Sequence, residues 1–218
     1  MPQPEAREHL LRQRQARFSA WLADSGISAC VLDDFESLRA NSLRWLSGHP
    51  MDAILFVFAS GRTVLVPWDL NLAREMSVVD EVIPYTDFKR SFREAVIAVL
   101  ARDGEGFSGT RKIEFAGHTT WLRHQELVQD LPGVEILVRQ DGCDAYLGGL
   151  RAVKDDQEIS ALRKAARITD EIATMAEELM SRAPASGLAE IEMALFLERE
   201  AFLRGAEGMG FDTLAAGP

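Results

Sequence analysis

The stretch Gly104-Glu105-Gly106-Phe107-Ser108-Gly109 spells GxGxxG, the spacing with which a glycine-rich turn holds a dinucleotide pyrophosphate on a helix N-terminus. That chemistry needs a strand before the turn and a helix after it. The apolar periodicity here places a helix before and a strand after, so the pattern reads as a surface turn, and neither NAD nor ATP is expected to bind. The four histidines, His9, His49, His118 and His124, form no HxxxH pair, and neither cysteine stands in a CxxC, so zinc-type spacing is missing. Glu114, His118 and His124 lie near enough along the chain to converge. His118 reads more simply as a loop or capping residue, and His124 as a helix-surface residue. Nucleophilic catalysis lacks its signals as well: there is no GxSxG, and neither Cys30 nor Cys143 has a basic partner nearby in sequence. The paired carboxylates Asp33-Asp34, Asp155-Asp156 and Glu177-Glu178 are adjacent, a spacing that does not bring side chains face to face on a helix. They read as element ends or solvated faces.

The elements that would position these residues alternate between helix and strand. Leu11, Phe18, Trp21 and Leu22 draw one stripe along a helix from Glu5 to Ala23, and Gly26 stands where a left-handed cap would. Ile27 to Leu32 is a short apolar run that stops at Asp33-Asp34, as a buried strand would. Ala53–Ala59 and Arg62–Val66, joined by Ser60-Gly61, predict an antiparallel hairpin. A helix over about 88–101 then precedes a strand at 113–116, and a helix over about 119–130 precedes a strand at 134–138. The fold class is α/β with a mixed sheet.

After Arg139 a loop through Gly142, Gly148 and Gly149 leads into a long helix that Asp155 caps with Glu158. Ile159, Leu162, Ala166, Ile172, Ala176 and Leu179 form its apolar stripe. Pro184 and Gly187 break the chain before a second helix, about 188–204, expected to bury Leu188, Ile191, Leu195 and Phe202. The domain organisation is therefore 1–140 as the α/β domain, 141–154 as linker, and 155–218 as the first helices of a further domain.

A net charge of -10, from 34 acidic and 24 basic residues, argues against a nucleic-acid backbone or an anionic membrane as partner. The N-terminus is charged throughout and lacks a signal-peptide core, so a cytoplasmic protein is expected. Two widely separated cysteines fit a reducing compartment better than a disulfide framework.

Several segments, in order, resemble one family. Gly26 to Leu32 resembles the first helix-to-strand junction of the creatinase/prolidase N-terminal domain. Leu43-Arg44-Trp45-Leu46-Ser47-Gly48 resembles its Y-L-T/S-G loop, and Asp52 to Val66 the hairpin that follows. Leu150 to Ile159 is similar to the R-x-x-K-s-x-x-E-I signature that opens the pita-bread catalytic domain, and Arg163 to Ala173 continues it. Ala189 to Glu192 followed by Gly205 to Gly217 is similar to the family's t-E-x-E and F-x-t-i-v-a-s-G run.

The resemblance implies a metal-dependent hydrolase of the Xaa-Pro aminopeptidase, prolidase or creatinase kind. Its two divalent metals, manganese or cobalt, would be bound by two aspartates, one histidine and two glutamates. All of those would, on this resemblance, lie beyond Pro218, so this chain is assigned no catalytic residue, metal ligand or cofactor, and is expected to be inactive alone. The alternatives are a non-catalytic binding protein of the same fold and a creatinase- or ectoine-hydrolase-like amidinohydrolase. The resemblance further implies a homodimer acting on a peptide or small amide, with the N-terminal domain helping to close the partner's active site. His49, after the Y-L-S-G segment, is the candidate substrate-rim residue, the alternative being a solvated turn residue held between Gly48 and Pro50. Arg151 and Lys154 match signature positions and are candidate interdomain residues, the alternative being helix-start and surface charges.

Overall fold

The computed structural model describes residues 4–35, 38, 40–103, 111–182 and 187–216, which form two compact units, 1–153 and 154–218. The GxGxxG stretch lies outside the described residues.

The first unit is built on a six-stranded sheet in the order β4-β3-β2-β1-β5-β6, comprising β1 (Ala29–Asp34), β2 (Ala53–Phe58), β3 (Thr63–Pro67), β4 (Glu81–Val82), β5 (Arg111–Phe115) and β6 (Val134–Leu137). β2 runs antiparallel to both β1 and β3, with Val31 opposite Phe56 and Phe56 opposite Val64. The pairings β3–β4, β1–β5 and β5–β6 are parallel. Gly61, at φ 94°, makes the hairpin turn that only glycine adopts without strain.

Helices cover both faces. β1, β2 and β3 are buried at every position because alternate residues point into two separate cores. On one face Ala29, Val31, Ile54, Phe56 and Val64 meet Val96 and Leu100 of α4 (Phe92–Arg102) and Leu127 of α5 (Trp121–Asp130). On the other, Cys30, Leu32, Leu55 and Val57 meet four helices. These are α1 (Pro4–Asp24), α2 (Asn41–Ser47), α3 (Leu70–Met76) and α6 (Cys143–Ala152). Burying each large side chain in these cores contributes roughly 1.5 to 3 kcal/mol.

Three expectations about this unit need correction. β1 continues through Asp33 and Asp34, both buried, instead of ending before them. The Y-L-S-G segment is the end of α2, closed by Gly48 at φ 77°. The stretch read as loop from its glycines contains α6, which buries Cys143 and Leu147 in the core; Gly148 and Gly149 face open space, so they weaken the helix without breaking it. α3 is seven residues long, too short to show a period.

The second unit is a helical pair, α7 (Asp156–Ser181) and α8 (Glu190–Leu203). Asp155 accepts the backbone N–H of Gln157 and Glu158 at 2.9 Å, and Glu158 accepts that of Asp155 at 3.0 Å, the capping box expected from the sequence. The helices meet through Ile172 and Ala176 on one side and Ala201 on the other, while Arg204 bonds Glu171 and Glu200. Ile191, Leu195 and Phe202, expected inside, are more than half exposed because the packed face of α8 is the one carrying Glu200 and Ala201. No helix among the described residues is long and apolar enough to cross a membrane.

Candidate functional site

Strand β1 leads into α2 on one face of the sheet, whereas its parallel neighbour β5 leads into α5 on the other. Connections that part in opposite directions leave a crevice outside the carboxyl ends of the two strands, the place where open α/β sheets bind ligands. Asp33 and Asp34 close β1 and the segment Ala116 to Thr120 follows β5, so both stand at that edge of the sheet.

Asp33 turns to the α4/α5 face. Its carboxylate, almost wholly buried, accepts from His118 Nε2 at 2.8 Å and from Arg123 Nη1 at 2.8 Å. The Arg123 guanidinium lies over Phe92, 4.1 Å from the ring centre, and over Phe35 at 5.0 Å. Phe35 meets Trp68 edge-on, and Trp68 stacks on Tyr85 at 4.0 Å. The hydrogen bond to Asp33 raises the His118 pKa against the opposing effect of burial. An aspartate-braced histidine can carry a proton, but among the described residues no serine, threonine or cysteine side chain is hydrogen-bonded to His118. A cavity of about 220 Å³ is lined by Phe92, Arg93, Arg123, Glu126 and Asp130, and Arg93 and Asp130 are ion-paired there.

Asp34 turns to the opposite face, where among the described residues its Oδ1 has no hydrogen-bond partner. His49 lies on that side as well, and its side chain is completely buried, not solvated. Among the described residues neither ring nitrogen has a hydrogen-bond partner. Burial lowers the His49 pKa, with Asp69, the Asp52 backbone and Asp34 pulling the other way. The loop is held from below: the His49 N–H donates to Ser47 Oγ at 3.1 Å, and Arg7 donates to the carbonyls of Gly48 and Met76 at 3.2 and 2.6 Å. Met51, 54% exposed, is the side chain this loop presents outward.

Arg151 lies in α6 and donates to Ser42 Oγ of α2 at 3.3 Å, a bond inside the first unit. Lys154 is exposed at the start of the second. Glu114, His118 and His124 do not converge. Glu114 is buried under Arg139 and the Cys143 N–H, His118 belongs to Asp33, and His124 stacks on Trp121. The Asp33 cluster escapes sequence reading because its members stand 85 and 90 residues apart; the one signal is a pair of aspartates closing an apolar run. Among the described residues no three His, Cys, Asp or Glu side chains form a metal-binding group, so the residues present do not fit a dinuclear centre.

The family model described as Creatinase/Prolidase N-terminal domain matches residues 14–153. A creatinase from Bacillus sp. (strain B-0618) is 31% identical over 188 residues, covering 85% of this chain and 43% of its own. An X-Pro aminopeptidase from Thermotoga maritima MSB8 superposes with a TM-score of 0.71 at 20% identity, over 91% of this chain and 51% of that one. A prolidase from Pyrococcus horikoshii OT3 gives 0.68 at 18% identity, over 89% and 50%. The chain spans about half the length of the curated relatives it matches. It belongs to the creatinase/prolidase family, and its first unit carries that family's N-terminal domain.

Proposed function

We propose that the chain is the N-terminal portion of a metal-dependent Xaa-Pro peptidase, an aminopeptidase P- or prolidase-like hydrolase of peptide bonds next to proline. The observation that carries this reading is the family match over 14–153 together with the backbone likeness to an X-Pro aminopeptidase and a prolidase over about nine-tenths of the chain. The catalytic centre, with two manganese or cobalt ions, then belongs to polypeptide following the second unit, and no residue here is assigned to it. The first unit serves dimerisation and closure of the partner's active site. Its contribution comes through the loop Trp45 to Met51, with Met51 outermost and the buried His49 ring supporting it. In the longer parent, Met51→Ala should raise KM several-fold without changing metal content or Tm; unaltered kinetics in a confirmed dimer removes the loop from the site.

The test of the whole reading is the reading frame beyond Pro218, expressed with this chain and assayed with manganese on Xaa-Pro dipeptides. The longer polypeptide should hydrolyse them and stop with chelator, and the 218-residue chain should not. Chelator-sensitive turnover by the short chain would overturn the assignment. The creatinase match favours one second reading, an amidinohydrolase. Turnover of creatine without turnover of Xaa-Pro dipeptides would establish it, and turnover of neither would favour a binding protein of the same fold.

A further inference from the structure

Cys30 and Cys143 are the only cysteines in the sequence and stand far apart in it, yet the fold places them together. Cys30 lies in β1 and is fully buried, and Cys143 opens α6 at 1% exposure. Both belong to the core on the α1/α2/α3/α6 face, where burial first, and then the neighbouring Cys143 thiol, raise the Cys30 pKa. Backbone contacts fix them from two sides. Glu114 is the register partner of Cys30 across the β1–β5 pairing, and its Oε1 accepts the Cys143 N–H at 3.0 Å. The Cys143 sulfur itself sits 3.9 Å from the Phe115 carbonyl.

We infer that Cys30 and Cys143 are a latent disulfide, a redox-sensitive clasp between β1 and α6, the last helix of the first unit. With a peroxide as oxidant the step balances. One thiolate attacks the O–O bond and leaves as a sulfenic acid with one water; the second thiol displaces the next water and forms the S–S bond. Each sulfur gives up one electron and the peroxide takes two. Burial holds the Cys30 thiol protonated, and the thiolate is the nucleophile, so the reaction waits on opening of α6. Four bonds restrain that opening: Glu114 to Arg139 and to the Cys143 N–H, Asp144 to the Gly117 N–H, and Arg151 to Ser42. In a reducing medium the clasp stays open.

The experiment treats the 218-residue chain with hydrogen peroxide, then measures thiols after denaturation and intact mass without reductant. Both thiols should disappear together in a monomer lighter by two hydrogens, with dithiothreitol restoring them. Oxidation should raise Tm by roughly 5 to 10 °C, the effect of closing so long a loop. Glu114→Gln, which loosens α6, should speed the reaction several-fold. If that variant does not fold, warming the wild type toward its transition serves instead, with a steep rise in rate expected. Cys30→Ser and Cys143→Ser should each abolish the lighter monomer. Thiols that persist near the transition, loss only through oxygen adducts or linked dimers, or a rate indifferent to loosening α6 would each overturn the clasp.

Discussion

His118 and His49 carry opposite pH dependences, and the sign of each follows from its surroundings. Asp33 raises the His118 pKa, so the folded state favours the imidazolium. That stabilisation is fully present below the unfolded value of about 6.5 and is lost as pH rises through the raised folded pKa. Burial lowers the His49 pKa, so the folded state favours the neutral ring. Its contribution is fully present above about 6.5 and is lost as pH falls through the depressed folded pKa. Between about pH 5 and 8, Tm of the first unit should therefore pass through a maximum near 6.5. His118→Gln should flatten the alkaline side and His49→Gln the acid side. A Tm that climbs steadily across this range, unaffected by His118→Gln, would show that the Asp33 bond does not hold the proton. The sequence gives no warning of either environment. His49 between glycine and proline resembles a solvated turn, and it is buried because Arg7 and Ser47, distant and local respectively, pull its loop inward.

At the scale of elements, α6 is the helix whose placement rests on charge. Glu114 is completely buried and accepts from Arg139 Nη2 at 2.7 Å, from Arg139 Nε at 3.2 Å and from the Cys143 N–H. Removing one partner of a buried pair costs about 3 to 5 kcal/mol, and the partial exposure of Arg139 discounts this to roughly 2 to 4 kcal/mol for Glu114→Ala. Gly142 leaves no room for a Cβ, which would overlap the Glu114 carboxylate, so Gly142→Ala should cost a comparable amount. Urea titration of the two variants and the double variant measures both, and a loss under about 0.5 kcal/mol for Glu114→Ala would mean that water replaces the network. A second polar anchor is Gln15 of α1, buried and donating to the carbonyls of Leu46 at 3.0 Å and Val78 at 2.6 Å. Gln15→Ala leaves these carbonyls without that donor, at about 1 to 3 kcal/mol. Such anchors explain what was legible. α1, the hairpin, α4, β5, α5 and β6 announce themselves because an apolar stripe or alternation makes the burial. α2 and α3 are too short for a stripe. α6 carries two glycines in its interior, and what holds it is a carboxylate 29 residues upstream that no local pattern reveals.

At the scale of the whole molecule, the two units differ in how far their apolar surface is covered. The first has two closed cores, with Phe18, Phe56, Phe58 and Phe115 essentially without exposure. The second buries little: Leu162, Ile191, Leu195, Phe202 and Leu203 are each more than half exposed. Each such side chain forgoes roughly 1.5 to 3 kcal/mol of burial, and five of them together match the whole stability of an ordinary domain, about 5 to 15 kcal/mol. The α7–α8 pair should therefore open far more readily than the first unit, and limited trypsin digestion of the monomer measures the difference. A linker over 141–154 would be open to cleavage along its length, but α6 withdraws most of it, since Cys143 and Leu147 are locked in the core and Arg151 is bonded to Ser42. The first cuts should fall after Lys154, next to the exposed Val153, and after Arg182, whose side chain is 79% exposed. The product that survives should end at Lys154 and keep the Tm of the first unit unchanged. Cleavage at Arg139 at the same rate as at Lys154 would show that α6 is not part of the stable core. A monomer protected all the way to Pro218 would show that the exposed faces of α7 and α8 are stable in water as they stand.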